Sequence, residues 1–103
     1  MALARAAINN ASPTTVYTSS GASVTSVIYV CNTGTAQTFD LHLVTSGGTA
    51  DATNLIYSAV PLTAADTYVL DKEKIVLANG DFIAAKAGSF ASTIIVTVSY
   101  MGA

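Results

Sequence analysis

The sequence predicts an all-β protein, a single-domain antiparallel β-sandwich or jelly roll of seven or eight strands with an N-terminal arm. From residue 14 onward, apolar and polar residues alternate with a period of two, which is the pattern of a half-buried strand. Turns containing Gly or Asn separate these stretches at short intervals, and helical periodicity is scarce. A chain of 103 residues is long enough to fold as one domain around one core.

The strand pattern recurs along the whole domain. The stretches that carry it are residues 14–19, 24–31, 38–44, 54–60, 66–70, 82–87 and 92–100, with 74–77 as a short additional piece. The faces predicted to lie in the core include Phe39, Leu41 and Leu43 of one stretch and Ile94, Val96, Val98 and Tyr100 of the last. Pro61 follows the fourth stretch and predicts a strand end or a sheet edge, because proline cannot donate a hydrogen bond to a neighbouring strand.

The stretch 24–31 is apolar on both faces. Simple alternation places Val24, Ile28 and Val30 on one face and Val27, Tyr29 and Cys31 on the other. Such a strand either runs through the middle of the sandwich under a covering loop, or a second subunit covers its outer face. The low charge of the chain favours the second subunit.

Residues 1–13 are predicted to form an N-terminal arm, and residues 14–103 the β-sandwich domain. The arm segment shows no clear strand periodicity, so we expect it to be mobile in the free protein and to serve attachment, with terminal disorder as the alternative. Leu3 and Ile8 are its apolar anchors, and Arg5 is a charge able to bind a carboxylate with two hydrogen bonds. These three side chains are the predicted interface residues.

The composition is typical of a protein that packs permanently against others. Apolar residues make up 51 % of the chain and charged residues only 10 %, against about 25 % charged in a typical soluble domain. Ser, Thr, Ala and Gly fill the difference. Short side chains of this kind lose little rotamer entropy when a partner covers them, so such a surface suits an interface.

Charge and hydropathy argue against two classes of partner. The net charge is −2, and the four cationic residues form no stripe, so no nucleic-acid partner is expected. No apolar run approaches the length of a membrane-spanning helix, and no membrane partner is expected. The start of the chain lacks the apolar core of a secretory signal, which predicts synthesis in the cytoplasm without processing.

No catalytic, cofactor or metal site is predicted, and the chain is not expected to be an enzyme. His42 is the single histidine and lies on the polar face of its stretch, which predicts a surface hydrogen-bonding residue. Cys31, the single cysteine, is predicted to be buried and inert. Asp51 and Asn54 offer too few oxygens for calcium, which takes six to eight. The carboxylates are scattered over separate turns and strands and do not form an acid–base pair.

The order of motifs resembles that of a group of viral proteins. An opening "VYT" leads through a Gly turn to an apolar strand ending in "CNTG"; "FDLHLV" follows, and "IVLANGDFIAAKAG" precedes the last apolar strand. Over residues 14–100 this pattern resembles the small β-sandwich structural proteins of tailed-bacteriophage virions. These include capsid cement or decoration proteins and modules of necks and tails.

The resemblance implies a non-enzymatic virion protein, made in the host cytoplasm, that stabilises the phage head by bridging capsid subunits. Its expected partners are other copies of itself, as a homo-oligomer and in particular a trimer, and the major capsid protein or another virion protein. One alternative is a neck, baseplate or tail-fibre module, and another is a carbohydrate-binding β-sandwich module. If the arm does not attach the protein, the loops around Gly47 and Gly80 are expected to do so.

Overall fold

The computed structural model describes residues 2–8, 12–71, 74–88 and 94–102. Within these ranges the chain forms nine strands and one short 3-10 helix, Ala52–Asn54. The strands are β1 Ala2–Ile8, β2 Thr14–Thr18, β3 Ser23–Asn32, β4 Gln37–Val44, β5 Leu55–Leu62, β6 Thr67–Leu70, β7 Val76–Leu77, β8 Phe82–Ala87 and β9 Ile94–Gly102.

The strands form two antiparallel sheets. Sheet A has the order β1-β9-β3-β6, with β7 also paired to β3, and sheet B has the order β2-β8-β4-β5. The pairing is nested: β1 pairs with β9, β2 with β8, β3 with β6 and β4 with β5, alternately in sheets A and B. This confirms the predicted β-sandwich, and nested pairing of this kind is the arrangement of a jelly roll.

The core lies between the two sheets and is built from alternate residues of each strand. Its largest fully buried apolar side chains are Ile8, Ile28, Val30, Phe39, Leu41, Ile83, Ile94, Val96 and Val98. The inward faces predicted for β4 and β9 are therefore confirmed. Pro61 lies in β5, an edge strand of sheet B, as its missing N–H group predicts.

Aromatic rings join the two sheets at two places in the sandwich. Tyr17 of sheet B stacks on Tyr100 of sheet A, with ring centroids 4.1 Å apart. At the second place the ring of Tyr68 from sheet A lies 5.6 Å from Phe39 and 5.8 Å from Tyr57, both in sheet B. Tilted and stacked aromatic pairs contribute beyond the area that they bury, so these contacts fix how the sheets lie against each other.

A buried amide also ties the sheets together. Asn32, at the end of β3, is fully buried, and its Nδ2 donates to the carbonyl oxygens of Thr35, Leu62 and Thr63 at 2.7, 3.2 and 3.2 Å. Its Oδ1 accepts from the Gly34 N–H. The asparagine of "CNTG" thus connects β3, the following turn and the end of β5.

The structure corrects the predicted N-terminal arm. Residues 2–8 form β1, which pairs with β9 without interruption from Ala2 opposite Tyr100 to Ile8 opposite Ile94. Alanine has a low intrinsic preference for strands, so "ALARAAI" reads poorly as one, but the backbone groups of β9 offer a complete set of partners. Met1 and residues 9–11 of the predicted arm lie outside the described ranges.

A bulge in β3 corrects a second prediction. The register between β3 and β9 shifts between Thr25 and Val27, which inserts Ser26 as an extra residue. One extra residue exchanges the two faces of the strand. Val24 consequently lies opposite Met101 and Val76 on the solvent side of sheet A, and not with Ile28 and Val30.

The burial of Ile8 predicts that β1 contributes to stability. Ile8 is 1 % exposed, whereas Leu3 on the same strand is 62 % exposed. We expect Ile8→Ala to lower the free energy of unfolding by about 2–5 kcal/mol, because it leaves a cavity in the core. The control Leu3→Ala should change it by less than about 0.5 kcal/mol. Urea denaturation of dilute protein measures both, and equal losses would show that β1 does not pack on the core as described.

Candidate functional site: the outer face of sheet A

His42 supports a loop. It lies on the outer side of sheet B but is only 4 % exposed, and its Nδ1 is 2.8 Å from Asn54 Oδ1. That oxygen also accepts from the Asp51 N–H, while Asn54 Nδ2 donates to the Thr49 carbonyl oxygen. Since an amide oxygen only accepts, His42 Nδ1 carries the proton and donates. The predicted hydrogen-bonding role is therefore confirmed, although the ring is buried.

Asp51 and Asn54 cap the 3-10 helix. The carboxylate of Asp51 accepts hydrogen bonds from Thr53 Oγ1 and from the Thr53 N–H, the latter at 2.9 Å. The hydroxyl bond, followed by the backbone bond, lowers the pKa of Asp51, with a slight opposing effect of desolvation and a smaller lowering from His42. The side-chain oxygens of Asp51 and Asn54, considered above as calcium ligands, thus accept hydrogen bonds from their own loop and, at Asn54, also from His42.

The described residues bring no metal-ligating cluster together. Among them, no group of three or more His, Cys, Asp or Glu side chains converges. His42 belongs to sheet B, whereas Cys31 belongs to sheet A.

No helix in the described part of the chain has the length and apolar character needed to cross a membrane.

The loops around Gly47 and Gly80 meet at one end of the sandwich. Asp81 Oδ1 accepts from the Ser46 N–H at 3.0 Å, and its Oδ2 accepts from the Ala78 N–H at 3.0 Å. Gly80 has a φ of +89°, and a Cβ at this position would clash with Ser46. The aspartate therefore closes its own turn and holds the neighbouring one. A role of these loops in attachment stays a prediction.

An apolar cleft opens between the sheets where β5 and β6 lie. Its volume is about 620 Å³. Its walls include Ile28, Leu43, Ile56, Tyr57, Tyr68, Leu70 and Ile75, and Asp71 contributes the charged group. It is a gap in the sandwich between two edge strands rather than a pocket with converging polar groups.

The side of sheet A that faces away from the core, here called the outer face of sheet A, is largely apolar. It is defined by ten apolar residues, Leu3, Ala7, Val24, Val27, Tyr29, Cys31, Val69, Val76, Ile95 and Met101, and by Arg5, Ser26, Thr67, Thr97 and Ser99. The pairing places Tyr29 between Thr97 and Val69, and Cys31 between Ile95 and Thr67. Arg5 is the single charged residue in the five strands of this sheet.

Large apolar side chains are exposed on this face. Six large apolar side chains are exposed among the described residues, and five of them lie here: Leu3 62 %, Tyr29 42 %, Val69 44 %, Val76 72 % and Met101 41 %. A contiguous apolar surface of this kind marks an interaction site in soluble proteins. The sequence indicated it through the two-sided apolar pattern of 24–31.

The outer side of sheet B is different. Asp40 and Lys86 form an ion pair there at 3.6 Å. His42, Val44 and Ala84 also point outward, yet all three are buried. The loop 45–54 covers His42 through the bond to Asn54 and passes close to Val44 at Gly48. The outer side of sheet B is therefore polar or covered by a loop, whereas the outer face of sheet A is mostly apolar and exposed to solvent in the described part of the chain.

The predicted interface residues have three different environments. Leu3 is exposed on the outer face of sheet A, and Arg5 lies beside it with its Nε donating to Thr97 Oγ1 at 3.2 Å. Ile8 is part of the core, so it is not available to a partner in this fold.

Cys31 is partly exposed, which corrects its predicted burial. The correction follows from the position of Cys31 on the outer face.

Comparison with known proteins identifies no relative: no family model, no curated protein and no solved structure matches the chain.

The hydrogen bonds of Asp51 predict an acidic pH dependence of its loop. Because the pKa of Asp51 is lowered in the folded state, its contribution to stability is present above the unfolded pKa and is lost as the pH falls through the folded value. We expect the amide signal of Thr53 to titrate with a midpoint below that of an ordinary aspartate in NMR spectra. Asp51→Asn should remove this titration. A midpoint at or above the ordinary value would contradict the capping role.

Proposed function

We propose that this protein is a non-enzymatic structural subunit of a tailed-phage virion that packs the outer face of sheet A against another virion protein. In its most specific form, the proposal is a capsid cement or decoration protein that bridges capsid subunits as a homo-oligomer. The observation that carries the proposal is the exposure of five large apolar side chains on one nearly uncharged sheet. Burying such a surface is favourable by about 25 cal/mol per Å² of apolar area.

The side chains of this face suit a permanent contact. Val27, Cys31, Val69 and Ile95 are short or branched, so covering them costs little rotamer entropy. Tyr29 lies in the middle strand of the face, and a ring in that position is the usual anchor of a protein interface. Arg5 adds one charged group at the margin, where a carboxylate of the partner would meet it.

The choice of a virion as the assembly is supported by the resemblance of residues 14–100 to phage structural proteins. Jelly rolls form viral capsid domains, but also lectin domains and enzymes, so the fold alone does not choose between them. A sugar-binding module uses exposed aromatic platforms. Of the aromatic rings that the structure describes, only Tyr29 is exposed, which favours a protein partner over a glycan.

Copy number tests the proposal directly. We expect hundreds of copies per particle, measured by quantitative mass spectrometry of purified virions with an isotope-labelled peptide of this chain as the standard. A few dozen copies or fewer would place the protein in the neck, baseplate or tail. Its absence from particles would overturn the proposal, and a specific glycan-array signal would then support the sugar-binding alternative.

Charge introduced on the outer face of sheet A should weaken attachment strongly without unfolding the protein. Val69→Lys places an ammonium group where the partner packs, and we expect binding to particles to weaken about tenfold or more. Thr15→Lys, at an exposed position of sheet B, is the matched control and should bind normally. Co-sedimentation with particles measures both. Equal binding of the two variants would exclude this face as the attachment surface.

The rate at which a thiol reagent labels Cys31 indicates whether the outer face of sheet A is covered. Because its side chain is partly exposed, a thiol reagent should label the free native protein without denaturant. Attachment should slow this labelling strongly, since the covered thiol is no longer accessible. Labelling followed by mass spectrometry, with and without particles, measures the difference. An equal rate in the two states would mean that the partner does not cover Cys31.

A further inference from the structure

The edges of the two sheets differ in how well they are protected. An edge strand exposes backbone N–H and C=O groups that can pair with another chain, and natural proteins guard such strands with prolines, bulges, charges or short length. Here β1 and β6 with β7 form the edges of sheet A, and β2 and β5 form those of sheet B.

Three of these edges carry a protective feature. β5 contains Pro61, two register shifts against β4 and a positive φ at Ala59. β2 follows Pro13 and has a register shift between Thr15 and Tyr17. β6 and β7 are only four and two residues long, and the charged sequence 71–74 separates them.

The edge formed by β1 carries none of these protective features. This strand has seven residues, pairs with β9 without a register shift and contains neither proline nor glycine. Its one charged side chain, Arg5, turns toward β9, where Nε donates to Thr97 Oγ1. This hydrogen bond draws the guanidinium group over sheet A and leaves the backbone of the open edge unobstructed, while the charge stays close enough to act on a side chain opposite Arg5 in an added strand.

We propose that β1 pairs in antiparallel fashion with β1 of a second copy, so that sheet A continues across a two-fold axis. The inference goes beyond the proposed function and does not depend on it. A contact of this type is isologous: each copy offers the same strand, and the dimer leaves no β1 edge open. The residues of β1 select the second copy as the occupant, because they complement one another when the strand pairs with itself.

The side chains of β1 define the register. Outward residues must lie opposite outward residues, so the possible registers differ by steps that keep the faces aligned. A register centred on Arg5 places two guanidinium groups opposite each other, which is unfavourable. A register centred on Ala4 instead places Arg5 opposite Leu3 of the second copy. The aliphatic part of Arg5 then covers the exposed Leu3 side chain.

The inward-facing residues of β1 are compatible with this register. Ala2 lies opposite Ala6 of the second copy, and the two Ala4 residues meet at the axis, so only small side chains face each other. A register centred on Leu3 would pair only residues 2–4 of the described strand, and one centred on Ala6 would leave Leu3 outside the paired segment and exposed. The Ala4-centred register is therefore the one that the sequence of β1 supports.

Three substitutions of the full chain test the contact by sedimentation velocity over a range of concentrations. The native protein should form a dimer in a concentration-dependent way. Leu3→Lys places a cation opposite Arg5 of the second copy and should weaken the dimer about tenfold or more, whereas Leu3→Glu places an anion there and should strengthen it. Val76→Lys is the control on the same face and lies at the opposite edge of sheet A, so it should leave the dimerisation constant unchanged.

A cysteine at the axis tests the register. In a Cys31→Ala background, mild oxidation should cross-link Ala4→Cys into a dimer on a non-reducing denaturing gel, while Ala6→Cys should remain largely monomeric. A native protein that stays monomeric up to about 1 mM, or that forms a trimer, would overturn the proposal. Equal weakening by Leu3→Lys and Leu3→Glu would also overturn it, because it would indicate general apolar contact. Val69→Lys, which tests particle binding, should leave this dimer intact.

Discussion

The fold depends on the nested pairing of the two halves of the chain. Each strand of the first half has its partner in the second half, with β1 against β9 on the outside of the nest and β4 against β5 at its centre. Since successive pairs alternate between the sheets, the inner face of every strand is fixed by the register of its partner. Asn32 and the aromatic contacts of Tyr17 and Tyr68 then hold the sheets together. Most tertiary contacts are consequently long-range in sequence, a property that slows folding.

This pairing explains why the two outer sides of the sandwich differ. The long connection between β4 and β5 crosses the outer side of sheet B, where the hydrogen bond of His42 to Asn54 secures it. Sheet A has no equivalent cover among the described residues, although its strands β3 and β9 carry apolar side chains outward. No loop in the described part of the chain buries these side chains within the molecule. Packing against another molecule would bury them, which is why sheet A is the candidate site.

Sequence patterns predict the strands wherever alternation is strong and strand-favouring residues carry it. β4, β8 and β9 follow this rule, and Pro61 correctly indicated an edge. The sequence pattern did not predict β1, because alanine has a low preference for strands and because the pairing of β1 with β9 joins residues far apart in the sequence. The face on which Val24 lies was predicted wrongly, because the bulge at Ser26 depends on the pairing with β9. The same limits apply to the site: the two-sided pattern of 24–31 indicated an apolar outer face, but Val69, Val76 and Met101 join it only through sheet pairing.

A bare apolar sheet carries a risk of uncontrolled aggregation, and the distribution of protective features determines how this chain avoids it. If all four edges were open, strands could add at either side of both sheets and the assembly would grow without limit. Pro61, the bulge in β2 and the charged interruption between β6 and β7 block three of these routes. The proposed pairing of β1 with its own copy would use the remaining edge and stop there, because an isologous contact consumes both open strands. In the proposed dimer the outer face of sheet A becomes one larger surface that spans two copies, and covering it with a partner protein would prevent further association through this face.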